Sequence, residues 1–276
     1  SDLVYKAENK ADGKILFTGL TFDKAGEYDY VLSEEQGTDD TITYDTTEKE
    51  VKIKVTDDGN GQLTAKITSD KVTITNVYTP KKIKIPVTKI WDDHNNQDGK
   101  RPESIIVKLL ADGNETNKTV ELNAGNNWTA KFTDLDADKG GVPIKYTIAE
   151  VNVPKGYTSV TSGEAKTGFT ITNSYTPEKT SVEGTKTWDD ANNQDGKRPD
   201  KIKVILNKTV DGKTSKVAEK EVTKDNWSYE FTNLPKFEGG KEITYSIDEE
   251  AVAGYTKTID GYNLKNSYTP EVVNVQ

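Results

Sequence analysis

The sequence predicts an all-β chain of three tandem β-sandwich domains, and three observations carry that prediction. Short stretches rich in Val, Ile, Thr and Tyr alternate with Asp/Asn/Gly turns, as in Val51–Val55, Ile105–Leu109 and Lys201–Leu206. The segment Trp91–Pro102 recurs almost unchanged as Trp188–Pro199. A closing motif, Asn-Val/Ser-Tyr-Thr-Pro, occurs at Asn76–Pro80, Asn173–Pro177 and Asn266–Pro270. No helix-length stretch carries apolar residues at three-to-four spacing.

The closing motifs set the domain boundaries. Each Thr-Pro is followed by a new start, and proline removes a ladder donor at the strand end. The 276 residues therefore divide into 1–80, 81–177 and 178–276. Turns fall at Gly99, Gly113, Gly196 and Gly212. The linkers after Pro80 and Pro177 are short, which favours a rod over a flexible string.

Composition removes most chemistry. The chain has no cysteine and a single histidine, His94, which removes disulfides, thiolate metal sites, Cys nucleophiles and nearly all His chemistry. A net charge of −9 argues against nucleic acid or an anionic membrane as partner. No run approaches the ~18 apolar residues of a membrane span. Both ends, at Ser1 and at Glu271–Gln276, read as cut from a longer protein.

Strand alternation then exposes an unusual inward set. Residues i, i+2 and i+4 share a face, so Ile83, Ile85, Val87, Lys89 and Trp91 point one way, as do Val182, Gly184, Lys186 and Trp188. Tyr146, Ile148 and Glu150 form a second such face, matched by Tyr245, Ile247 and Glu249. The closing strands align Phe169, Ile171, Asn173 and Tyr175, and likewise Tyr262, Leu264, Asn266 and Tyr268. Each of the last two domains thus sends one lysine, one glutamate and one asparagine into its core. Separate burial of three polar groups costs several kcal/mol each, so they are expected to meet. Desolvation favours a neutral amine and a protonated acid. A neutral amine attacks an amide carbon, and the acid polarises the carbonyl and shuttles protons. Loss of ammonia would leave a Lys–Asn amide. Two plainer readings stand beside this: a buried Lys–Glu ion pair with Asn as hydrogen-bond partner, and a one-residue slip that turns all three to solvent.

With these segments set out, the resemblance is plain. Val-Thr-Lys89 and Gly-Thr-Lys186, the two Trp-to-Pro segments, Tyr146–Glu150, Tyr245–Glu249 and the closing motifs resemble Cna B-type domains, immunoglobulin-like repeats of Gram-positive adhesins and pilins. The resemblance covers nearly all of 81–270. It implies isopeptide bonds Lys89–Asn173 and Lys186–Asn266, with Glu150 and Glu249 catalytic. It implies a structural stalk, extracellular and wall-anchored in the full-length protein, with single-turnover self-crosslinking and no cofactor or metal. Partners would be other pilin or adhesin subunits or host molecules. The alternative is an adhesin module gripping a host ligand; a hydrolase using Glu150 or Glu249 would need an open cleft.

The first domain resembles the streptococcal pilin isopeptide linkage domain through Gly26–Glu34, Ile42–Asp45 and Ile74–Tyr78. Tyr28, Tyr30, Leu32 and Glu34 share a face, as do Val72, Ile74, Asn76 and Tyr78. The resemblance supplies Glu34 as catalytic and Asn76 as an unpaired acceptor, while the family's lysine strand lies upstream of the first residues here. Lys6, in Leu3–Glu8, is the nearest substitute. No internal bond is expected in this domain; either the chain was cut there, or a strand from another chain or a neighbouring copy completes its exposed edge.

Remaining signals read as bland. The loops Asp92–Asp98 and Asp189–Asp195 fail the EF-hand pattern, because His94 or Ala191 would take its first position; they are expected to be solvated turns, with His94 as surface filler. Glycosylation sequons at Asn114, Asn117, Asn127, Asn207 and Asn226 matter only in a eukaryotic secretory route. Trp128, Trp227, Phe132 and Phe231 are expected in the cores.

Overall fold

The computed structural model describes residues 4–274, so what the sequence suggested for Ser1 and the last two residues lies outside the described part. Two compact units form: one from the residues up to Lys81 with 136–143, the other from Lys82–Leu135 and everything from Ile144 onward. Strands dominate throughout, and one 3₁₀ turn, Ala124–Asn126, is the helical structure among the described residues.

In the first unit, Lys49–Asp57 sits between Gly26–Leu32 and Leu63–Ile67 in an antiparallel sheet, with Tyr30 opposite Val51. A short ladder joins Ile42–Thr43 to Val77–Tyr78. The alternation read from the sequence holds along Gly26–Leu32, where Tyr28, Tyr30 and Leu32 are the half-buried residues. The core is thin: Val55 is the fully buried hydrophobic residue of this unit among those described.

The second unit holds two sandwiches of one design. In the first, a three-stranded sheet (Tyr146–Glu150, Ser104–Ala111, Asn114–Asn123) faces a four-stranded one (Thr158–Glu164, Gly168–Ser174, Lys82–Asp92, Thr129–Asp136). In the second, Thr244–Glu249, Lys201–Val210 and Lys213–Thr223 face Ser228–Pro235, Lys179–Asp189, Asn263–Ser267 and Thr256–Asp260. In both, the closing strand pairs in parallel with the opening strand. Ile171 lies opposite Lys89 and Asn173 opposite Trp91; Leu264 lies opposite Lys186 and Asn266 opposite Trp188. Parallel neighbours need a long connection, and here the connection is the rest of the domain.

The cores fill differently at one matched position. The first sandwich buries Val87, with a half-buried Ala130 packed against the same core; the second pairs Gly184 with Tyr229. The Tyr229 hydroxyl donates to the Tyr262 carbonyl at 2.5 Å, crossing the space a Cβ on Gly184 would take. Tyr262 itself is exposed and precedes the strand, so the inward face of the closing strand begins at Leu264, not at Tyr262 as alternation suggested.

The two sandwiches meet through a tied linker. Asp98 accepts from the Tyr175 hydroxyl at 2.9 Å and from the Glu178 backbone N–H at 2.8 Å. The Gly240 N–H donates to the Gln97 carbonyl, and Gly99 packs so closely on Gly240 that neither position has room for a side chain.

Candidate functional site

The opening strand of each sandwich brings its lysine inward. Ile85, Val87 and Lys89 are buried while Lys84, Pro86 and Ile90 face out. Lys186 repeats this beside Val182. The glutamate comes from the opposite sheet, Glu150 paired with Val107 and Glu249 with Val204. The asparagine comes from the closing strand and is almost completely buried in both copies. Three elements from two sheets therefore each bury one polar group in both sandwiches; contacts join the three around Glu150 in the first and Lys186 to Glu249 in the second, and the burial pattern rules out the one-residue slip.

In the first sandwich, Asn173 Nδ2 donates to Glu150 Oε1 at 2.9 Å, and Ser159 Oγ donates to Glu150 Oε2 at 2.9 Å. Lys89 Nζ stands 3.7 Å from Glu150 Oε2, with side-chain exposures of 0 % and 2 %. Nζ also lies 4.4 Å from the centre of the Trp91 ring, so the amine rests against an aromatic wall. Burial pulls the Lys89 amine down to about 8, against the opposing pull of Glu150 and Asp93. The glutamate contacts the amide nitrogen of Asn173 rather than its carbonyl oxygen, which lacks a hydrogen-bond partner among the described residues.

The second sandwich holds the same three residues in another posture. Lys186 Nζ contacts Glu249 Oε1 at 2.6 Å, both side chains buried, and Glu249 Oε2 has no hydrogen-bond partner among the described residues. Trp188 again lines the lysine, at 4.5 Å. Burial lowers the Lys186 amine below the ordinary lysine value, while the hydrogen bond it donates to Glu249 works the other way.

The first domain has two of the three groups. Asn76 Nδ2 donates to Glu34 Oε1 at 2.8 Å, and Asn76 Oδ1 accepts from the Asp45 N–H at 2.9 Å. Asn76 is exposed, however, and lies just before the two-residue strand Val77–Tyr78; the inward face proposed through Asn76 and Tyr78 stops at Ile74. Lys6 pairs instead with Glu35 at 2.9 Å, both exposed.

The Asp/Asn loops correct the expectation of solvated turns. Asp93 is 1 % and Asp190 2 % exposed. Arg101 meets Asp93 through Nε (3.0 Å) and Nη2 (2.6 Å), and Tyr157 and the Asn96 N–H donate to the same carboxylate at 2.9 Å. Arg198, Tyr255 and the Asn193 N–H repeat this around Asp190. Three consecutive residues in each loop, His94–Asn96 and Ala191–Asn193, take left-handed backbone angles that non-glycine residues rarely adopt; the carboxylate clamp holds them there. Arg198 holds the Asp190 carboxyl down at about 2. Burial works to raise Asp93, yet Arg101 and the loop amide keep it below its usual value. The sequence signal was present as an arginine eight residues after each aspartate. His94 is exposed, as expected, and no cluster of three His, Cys, Asp or Glu suited to a metal occurs among the described residues.

Comparison with known proteins gives these pairs of sandwiches a lineage. The Cna protein B-type domain profile matches residues 85–174 and again 182–267. This chain belongs to the Cna B-type family. A Spy0128-like isopeptide containing domain matches residues 2–79. The collagen adhesin of Staphylococcus aureus is 47 % identical over 223 residues, covering 80 % of this chain and 18 % of the relative. Serine-aspartate repeat-containing protein D of S. aureus strain Newman is 31 % identical over 195 residues, covering 61 % of this chain and 14 % of that protein. The chain thus spans less than a fifth of these relatives' length. The crystal structure of two B repeat units of the S. aureus collagen binding protein matches with TM-score 0.63 and 41 % identity, over 83 % of this chain and 67 % of that one. Of these relatives, the first is an adhesin by name.

Proposed function

We propose that this chain is a stalk segment of a Gram-positive surface adhesin or pilin, in which the second and third domains each close one Lys–Asn isopeptide bond by themselves. The observation that carries the reading is the buried Lys–Glu–Asn cluster, built twice from the first strand, the last strand and the facing sheet. A plain ion pair would favour a charged lysine, whereas burial moves Lys89 towards the neutral amine that attacks.

The chemistry balances within the cluster. Lys89 Nζ adds to Asn173 Cγ; Glu150 takes the proton from the attacking nitrogen and delivers it to Nδ2; the Cγ–Nδ2 bond breaks and ammonia leaves. Glu150 already touches Nδ2. Proximity of this kind supplies on the order of 7–11 kcal/mol of a barrier that an isolated amine and amide would meet in full. The reaction turns over once, so the protein is a self-modifying structural element and not an enzyme.

The mechanical consequence follows from topology. Tension enters a domain along its first strand and leaves along its last. A covalent bond between those two strands carries it past the sheet hydrogen bonds, and the tied linker at Asp98 and Glu178 suits a stiff shaft. The full-length protein is then extracellular and fixed to the wall, with other pilin or adhesin subunits or host molecules as partners. Peptide mapping tests the reading: Lys89 and Asn173 peptides should be recovered as one branched species. Recovery of both as linear, unmodified peptides would leave only the buried ion pair.

A further inference from the structure

The two triads share three residue types yet rest differently, and a fourth residue tracks the difference. Ser159 lies directly opposite Asn173 on the neighbouring antiparallel strand. Its hydroxyl donates to Glu150 Oε2 while Asn173 Nδ2 donates to Oε1, both at 2.9 Å. Each carboxylate oxygen therefore has one neutral donor, and the carboxylate plane is fixed. Lys89 Nζ is left at 3.7 Å, without a hydrogen-bond partner among the described residues.

The equivalent seat in the third domain is Lys257, opposite Asn266. Its ammonium turns away to Asp248 and to the Glu249 backbone carbonyl, so no hydroxyl reaches the Glu249 side chain. Glu249 closes onto Lys186 at 2.6 Å instead. An ammonium held in that pair has no lone pair to offer, and the carboxylate must be drawn off it before attack begins.

We infer that Ser159 is a positioning residue for bond formation in the second domain: it holds Glu150 against the departing nitrogen of Asn173 and off the attacking amine of Lys89. This rests on the isopeptide reading above. Ser159 touches none of the reacting atoms; it acts through Glu150, which moves the proton from Lys89 Nζ to Asn173 Nδ2 as that C–N bond breaks.

The test follows bond formation in the full chain during cell-free synthesis, quenched at intervals in acidic denaturant and mapped by mass spectrometry. The third-domain crosslink in the same molecules is the internal control. Ser159→Ala should slow the Lys89–Asn173 bond roughly tenfold, the order expected for losing one hydrogen bond to a charged group. The Lys186–Asn266 bond should keep its rate. Ser159→Thr keeps the hydroxyl and should restore the second-domain rate, which a purely structural role would not require. A Ser159→Ala rate within twofold of the unsubstituted chain would overturn the inference, as would equal slowing in the Ala and Thr variants. Absence of both crosslinks from the unsubstituted chain would instead overturn the isopeptide reading itself.

Discussion

Under the proposed mechanism, replacing Glu150 by alanine removes the proton carrier from the second domain and leaves every other domain intact. The Lys89–Asn173 bond should then fail to form, while Lys186–Asn266 forms as before. The lost crosslink spans a loop of about 85 residues, and by analogy with a disulfide of that span its effect on the unfolded chain is about 4.5 kcal/mol. The Lys89 amine, buried and now without its carboxylate partner, adds a further penalty of the same sign. At roughly 4–8 °C per kcal/mol for a domain of this size, the second-domain transition should fall by about 20 °C or more. Calorimetry on the full chain separates this from the third-domain transition, which should not move. Asn173→Ala loses the same bond while keeping the Lys–Glu pair, so its smaller drop isolates the crosslink. Detection of a complete Lys89–Asn173 crosslink in Glu150→Ala, or a transition unmoved by a few degrees, would refute the reasoning.

Further outcomes follow from other parts of the structure. Only the neutral amine attacks, and burial brings Lys89 to about 8, so crosslinking in the second domain should accelerate as pH rises towards 8 and level off above it; a pH-independent rate in timed peptide maps would contradict this. Gly184→Val forces a side chain into the Tyr229 hydroxyl and the Tyr262 carbonyl and should destabilise the third domain by about 2–3 kcal/mol, with Tyr229→Ala partly restoring it; thermal melts of the single and double variants check the pairing. Asp190→Asn strips the charge that Arg198, Tyr255 and the Asn193 amide hold, and should lower third-domain stability by about 1–3 kcal/mol at neutral pH. Because the Asp190 carboxyl is lowered to about 2, its contribution is present above its ordinary value near 4 and disappears as pH falls towards 2, so the variant and the parent should converge there.

The inward faces were legible because a strand's two-residue period is rigid. Once Trp91 and Trp188 fixed the phase, Lys89 and Lys186 had to point inward, and the same count placed Glu150, Glu249, Asn173 and Asn266. What stayed hidden depends on which strands become neighbours. Ser159 reaches Glu150 only because its strand pairs with the one carrying Asn173, a fact of register that no local pattern announces. Gly184 looks like an ordinary strand glycine until Tyr229 arrives above it. Asp93 and Asp190 lay in stretches so rich in Asp, Asn and Gly that solvent seemed their natural surroundings. Their burial needs an arginine brought back by a left-handed turn, which propensity argues against. Alternation also failed at two strand ends, Tyr262 and Asn76, where the chain had already left the ladder.

The central claim is that two domains of this chain weld themselves, and the intact mass of the purified, denatured protein tests it most directly. Each bond expels one ammonia, and no other step in the account changes mass. A mass short of the sequence value by two ammonia molecules is the predicted result. A mass equal to the sequence value would contradict the account and reduce both clusters to buried ion pairs.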